Sequence, residues 1–92
     1  MKKRRGLQRK AHYFTYILEC GDGTYYTGHT SDLEKRIEKH NSGKGAKYTR
    51  ARKPVKLAWF KKYKYYKCAF NKEIELKKLT REQKEHLVKR TK

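Results

Sequence analysis

Five side chains in this sequence have the types and spacing needed to cut a phosphodiester: Tyr16, Tyr26, Arg36, His40 and Glu73. Hydrolysis of that bond needs an activated water, positive charge on the phosphoryl oxygens and help for the departing alkoxide. A tyrosine serves as base where neighbouring cations lower its pKa from the unperturbed value of about 10. Arginine offers phosphate a planar, two-pronged clamp. One carboxylate can hold a Mg2+ ion that keeps most of its water and stabilises the leaving oxygen. Each residue also has a plain structural reading. Strand tyrosines commonly sit at the edge of a core with the hydroxyl bonded. Arg36 could pack its stem and lift its head to water. His40 could be a favourable cation near a helix C-terminus, and Glu73 could pair with one of the many lysines. The chemical reading rests on the five together.

The surrounding sequence must bring them to one place. Residues 13–20, YFTYILEC, read as a strand. GDG at 21–23 signals a turn, and TYYTG at 24–28 returns as a second strand. Alternation puts Phe14, Tyr16 and Leu18 on one face, with Thr15, Ile17 and Glu19 on the other. Neither face is polar throughout, so both need cover. Ser31 and Glu34 predict a capping box opening a helix with Leu33, Arg36, Ile37 and His40 on one face. Gly43 suits its end. Residues 43–54, with two glycines, one proline and five basic residues, read as a loop. Residues 55–63, VKLAWFKKY, read as a third strand with Val55, Leu57 and Trp59 alternating. From about residue 66 to 78, Ala69, Phe70, Glu73, Ile74 and Leu76 make a helical stripe. Thr80 and Gln83 then cap a last helix running to about residue 90. The expected fold class is α/β of the α+β kind, a small three-stranded antiparallel sheet flanked by about three helices. It forms one domain over 13–92, preceded by a basic arm at 1–12.

Charge narrows the partner. The 92 residues carry 27 Lys and Arg against 9 Asp and Glu, a formal net charge of +18. Self-repulsion of that size is relieved by a polyanion, and nucleic acid gains further from counterion release. No long apolar run or strongly apolar helix face points to a membrane. His29, Lys44, Lys47, Tyr48, Arg50 and Arg52 are the expected nucleic-acid contacts, with the arm and the loop as electrostatic tracks. Tyr48 either stacks on a base or packs on the sheet. Cys20 and Cys68 belong to no C-x-x-C pair, and read as buried or half-buried free thiols in a reducing cytoplasm. MKKRRGLQRK is followed by no apolar stretch of the kind a secretory signal has.

These segments resemble the GIY-YIG nuclease superfamily, and within it the small single-domain bacterial proteins of the URI type. The resemblance is carried by FTYIL around Tyr16, by Tyr26-Thr27-Gly28, and by DLEKRIEKHN, SGKGAKYTR and ARKPVKLAW. The step from Ala69 to Glu73, followed by ELKKLTREQK, continues it, so that it spans about residues 13–88. It implies a divalent-metal endonuclease acting on DNA with low sequence specificity, using Mg2+ or Mn2+, with RNA as the alternative nucleic acid. It places the family's motif tyrosines at Tyr16 and Tyr26, its helix arginine at Arg36, the residue one turn later at His40 and its metal-binding glutamate at Glu73. Tyr16 is assigned as the base and Tyr26 as its orienting partner. The chain departs from the family pattern in having Phe14 for a glycine, Thr27 for an isoleucine and His29 for a lysine. The asparagine that some relatives use beyond the glutamate is absent. Single-stranded or structured DNA is the expected substrate. The rival expectations are a nucleic-acid-binding module without catalysis, and a nuclease subunit activated by a repair partner.

Overall fold

The computed structural model describes residues 12–90, so the basic arm at 2–10 lies outside the described residues. Strand β1 (Tyr13–Glu19) turns back into β2 (Tyr25–Thr30), followed by helices α1 (Leu33–Asn41) and α2 (Lys47–Arg50). Strand β3 (Lys56–Tyr63) and helices α3 (Tyr66–Lys77) and α4 (Arg81–Arg90) complete the chain. The sheet order is β2-β1-β3, with both pairings antiparallel. The expected three-stranded sheet is therefore present, flanked by four helices. The fourth is α2, a single turn inside the segment read as a loop.

The hairpin closes as its turn residues require. Gly23 takes φ +85°, a conformation that costs glycine little. The Asp22 carboxylate accepts from both the amide and the hydroxyl of Thr24. Helix α1 opens on Asp32 rather than Ser31: the Asp32 carboxylate accepts from the Lys35 amide at 3.1 Å, and Thr30 Oγ1 accepts from the Asp32 amide. At the other end of the chain Thr80 and Gln83 exchange amide bonds at 2.9 and 3.1 Å, the reciprocal cap expected there.

One sheet separates two small cores. On one face Tyr16, Leu18, Cys20 and Val55 pack with Leu33 and Ile37 of α1. On the other, Ile17, Leu76 and Val88 pack with Trp59 and Leu87. Strict alternation along β3 fails. Ile17 pairs with Trp59 but Leu18 with Leu57, so Ala58 is an extra residue in the ladder. That bulge shifts the side-chain phase by one, sending Val55 to one core and Trp59 to the other. The stripe expected on α3 is also narrower than its sequence pattern. Ala69 and Leu76 are buried, whereas Phe70 and Ile74 are about two-fifths exposed. Helix α3 meets the sheet closely enough for Thr15 Oγ1 to donate to the Ala69 carbonyl at 2.8 Å, an approach that the small Ala69 side chain allows. Cys20 is a buried thiol as expected, but Cys68 is exposed.

Candidate active site

The two faces of the sheet meet at the free edge of β2, and the candidate residues gather there from both sides. Tyr16 pairs across the ladder with Gly28, and Leu18 with Tyr26, so Tyr16 and Tyr26 share the α1 face. The Tyr16 ring lies across β2. A methyl at Gly28 would stand 2.5 Å from its hydroxyl oxygen, and the missing side chain lets the phenol reach the edge. There it meets His40, buried in the last turn of α1, with the Tyr16 hydroxyl 3.1 Å from His40 Nε2.

The hydrogen bonds fix the direction of this contact. Thr49, in α2, donates its one hydroxyl proton to the Ala46 carbonyl at 3.1 Å. It must therefore accept from His40 Nδ1, 2.8 Å away. Burial, reinforced by the charge of Arg36, holds the His40 imidazole below its ordinary pKa, so the ring is neutral at pH 7. With the proton on Nδ1, Nε2 is a lone pair, and the Tyr16 hydroxyl donates to it. The result is an ordered chain, Tyr16 to His40 to Thr49 to the Ala46 carbonyl. Thr49 was missed in the sequence because it stands in the segment read as a loop. Gly45 fits tightly as well, since a methyl there would meet His40 Nδ1 at 2.4 Å.

The expectation that cations lower the tyrosine pKa does not hold for Tyr16. Burial pushes it well above the ordinary tyrosine range, although the Arg36 guanidinium pulls it down by charge and by a hydrogen bond. Arg36 is half-buried on the α1 face that carries Leu33 and Ile37. It also lines a groove of about 530 Å3 along α1, with Lys35, Lys39 and Asp32.

Glu73 reaches the same edge from the α3 face. Its carboxylate accepts from Lys77 Nζ at 2.8 Å and from His29 Nδ1 of β2. Burial raises its pKa, but the bonds from His29 and Lys77, with the Lys77 charge, outweigh it and hold the carboxyl below its usual value. Its negative charge is felt at the Tyr16 hydroxyl, which ties the two halves of the site together electrostatically. Among the described residues no three His, Cys, Asp or Glu side chains gather closely enough to cage a metal. One partly exposed carboxylate fits a hydrated Mg2+ or Mn2+ that takes its remaining ligands from water and substrate.

The expected nucleic-acid residues divide. Lys44, Lys47 and Arg50 are exposed. Arg52 is engaged with the Asp22 carboxylate and the Tyr48 carbonyl. Tyr48 packs on the sheet, stacked on Tyr26 with ring centroids 5.9 Å apart, and carries the Arg52 guanidinium over its ring at 3.9 Å. Its ring is thus engaged within the protein on the Tyr26 and Arg52 sides. His29 is held by Glu73 and by the edges of two aromatic rings, Tyr66 and Phe70.

Thr27, which stands where the family motif has isoleucine, is buried, and its hydroxyl finds no hydrogen-bond partner among the described residues. An unpaired buried hydroxyl costs about 1–3 kcal/mol. Thr27→Val should therefore raise the thermal midpoint, by about 4–8 °C for each kcal/mol regained. A calorimetric scan showing no rise would mean that the hydroxyl is partnered in solution.

A hairpin bearing two tyrosines, a helix bearing arginine and histidine, and a glutamate from α3 thus gather at one edge of a three-stranded sheet. The chain belongs to the GIY-YIG family: the model of the GIY-YIG catalytic domain matches residues 12–86. Its relatives include a UPF0213 protein of Bacillus cereus, 48% identical over 91% of this chain and 86% of that one. The UPF0213 protein HQ_3675A of Haloquadratum walsbyi is 46% identical over 83% of this chain and 85% of that one. Among solved structures, the UPF0213 protein BH0048 of Bacillus halodurans matches with TM-score 0.55 at 49% identity, covering 85% of this chain and 83% of that one. Protein EF2693 of E. faecalis matches with TM-score 0.58 at 39% identity, covering 99% and 91%.

Proposed function

We propose that this chain is a divalent-metal-dependent endonuclease of the cytoplasm, hydrolysing DNA phosphodiesters with low sequence specificity, in single-stranded or structured DNA. The observation that carries the reading is the Tyr16 hydroxyl donating to a buried, neutral imidazole whose other nitrogen is tied to Thr49. A phenol in this setting keeps its proton at pH 7, so it acts in concert with its partner. As Tyr16 takes a proton from the attacking water, its own proton passes to His40 Nε2. The Arg36 guanidinium clamps phosphoryl oxygens as charge builds on them, and the Tyr26 hydroxyl orients the water or the phosphate. Glu73 would hold Mg2+ or Mn2+, which when bound stabilises charge on the leaving oxygen.

The test is to incubate the purified protein with labelled single-stranded and duplex DNA and RNA, with Mg2+, Mn2+ or chelator. Internal cleavage that needs the ion is the expected result. Binding in chelator should weaken with salt. If about six phosphates are neutralised on a duplex, the log–log slope is about −5. Binding without cleavage under either ion would reduce the protein to a nucleic-acid-binding module. A slope near zero would remove nucleic acid altogether.

A further inference from the structure

Helix α3 carries a row of groups that the catalytic reading only partly uses. Tyr66, Phe70, Glu73 and Lys77 follow one another at helical spacing of four, three and four residues, and so lie along one face. Glu73 and Lys77 are paired at the site. Tyr66 and Phe70 are stacked on each other, 5.9 Å between centroids and 9° between planes. Such rings ordinarily bury themselves, yet Tyr66 is 50% exposed and Phe70 39%. His29 abuts both rings edge-on while bonding Glu73. The aromatic pair is thus one side chain away from the carboxylate. Along the helix axis, Phe70 precedes Glu73 by roughly 4.5 Å.

The charge around the pair indicates what it receives. Between Glu38 and Glu73 the sequence contains no acidic residue. Lys61, Lys62, Lys64 and Lys67 are all exposed and interleave with Tyr63, Tyr65 and Tyr66. Helix α3 begins in this stretch with no side-chain cap and no acidic residue in its first turn, so the positive end of its dipole adds to the field. A basic stretch that runs into half-exposed aromatic rings suits the alternating phosphates and bases of a nucleic-acid strand. Only an unpaired base has a free face to stack.

We propose that the Tyr66–Phe70 pair is a base-binding subsite that stacks an unpaired base next to the scissile phosphate, so that single-stranded nucleic acid is the substrate class. This deepens the nuclease reading and rests on it for the word scissile, but the subsite is testable without turnover. The probe is a single-stranded oligonucleotide containing the fluorescent base 2-aminopurine, titrated in chelator beside a blunt duplex of the same sequence. With the wild-type chain, stacking should quench the fluorescence. In Tyr66→Ala/Phe70→Ala, quenching should disappear and single-strand affinity should fall about 5- to 150-fold. Duplex affinity and the salt slope should stay unchanged, because no cation has been removed. Tyr66→Phe, which keeps the ring, should restore wild-type behaviour. Equal loss on duplex and single strand, or no loss on either, would overturn the subsite. So would a wild-type chain that sediments as a dimer and becomes monomeric in the double variant with strand binding intact, since the rings would then be a protein contact. If the double variant fails to fold, Tyr66→Ala alone decides, by the same readouts. Loss of strand binding in a chain that never cleaves would sink the nuclease reading and leave the subsite standing.

Discussion

Glu73→Ala should reduce ion-dependent cleavage by about a thousandfold while leaving nucleic-acid affinity in chelator and its salt slope close to wild type. The carboxylate contributes no attraction for phosphate. Its loss removes the carboxylate that bonds His29 and Lys77 and frees one cation, Lys77, in a chain that carries 27 Lys and Arg, so affinity and slope move little. The structural cost is small. Lys77 is half exposed and regains water, so the lost pair is worth about 1 kcal/mol or less. The carboxyl is held below its usual pKa, so its share of stability is present above the unfolded value and disappears as the pH falls through the folded one. Glu73→Ala should thus lower neutral-pH stability by that small amount and flatten the acid limb, the variant and the wild type converging as the pH falls through the folded pKa. The decisive comparison is single-turnover cleavage against equilibrium binding on the same preparation. Cleavage at the wild-type rate would remove Glu73 from the chemistry. Parallel loss of binding and of folded signal would make it a structural residue.

A second large effect is expected at the Tyr16–His40 pair. Tyr16→Phe and His40→Gln should each lower cleavage by about 10²–10⁴. The double variant should be scarcely worse than either single one, because the two act as a single acceptor of one proton. The proposed relay requires neutral His40, whose pKa lies below its ordinary value. Cleavage should therefore be complete at pH 7 and decline as the pH falls through that depressed pKa. Stability follows with the same sign: the folded state favours the neutral ring, so stability is lost on acidification below the unfolded value. Thr49→Val deletes the acceptor that holds the proton on Nδ1. It should cost less than either loss above and shift the acid limb of the rate profile, a change that a merely structural threonine would not produce. Additive losses in the double variant would separate Tyr16 from His40 and end the relay.

The hairpin, the α1 face and the last capping box were legible in the sequence because each is local. Alternation places Tyr16 opposite Thr15, and helical spacing aligns Leu33, Arg36, Ile37 and His40 whatever the rest of the chain does. The misplaced cap at Ser31 reflects three adjacent capping residues, Thr30, Ser31 and Asp32, of which the structure uses the last. The bulge at Ala58 has no local signature, and its partner register depends on how β1 is already held between two cores. Helix α2 is one turn preceded by Gly43 and Gly45, and what fixes it is the bond from His40 to Thr49 rather than intrinsic propensity. The direction of the Tyr16 pKa shift was misread for the same kind of reason. The number of cations is visible in a sequence, whereas the depth of burial that outweighs them is a property of the packed sheet. Tyr48 shows the converse, since its sequence neighbours are basic while its spatial neighbours are Tyr26 and the Arg52 guanidinium.

Among the described residues strand β2 has a neighbour on one side only, and the groups that would handle the phosphate curl around its open side from above and below. Nothing in that arrangement asks for a loose end: a polymer can be laid against it sideways anywhere along its length. Covalently closed circles are therefore as accessible to it as linear fragments, and a first nick leaves the rest of the polymer free to drift away rather than feeding it forward.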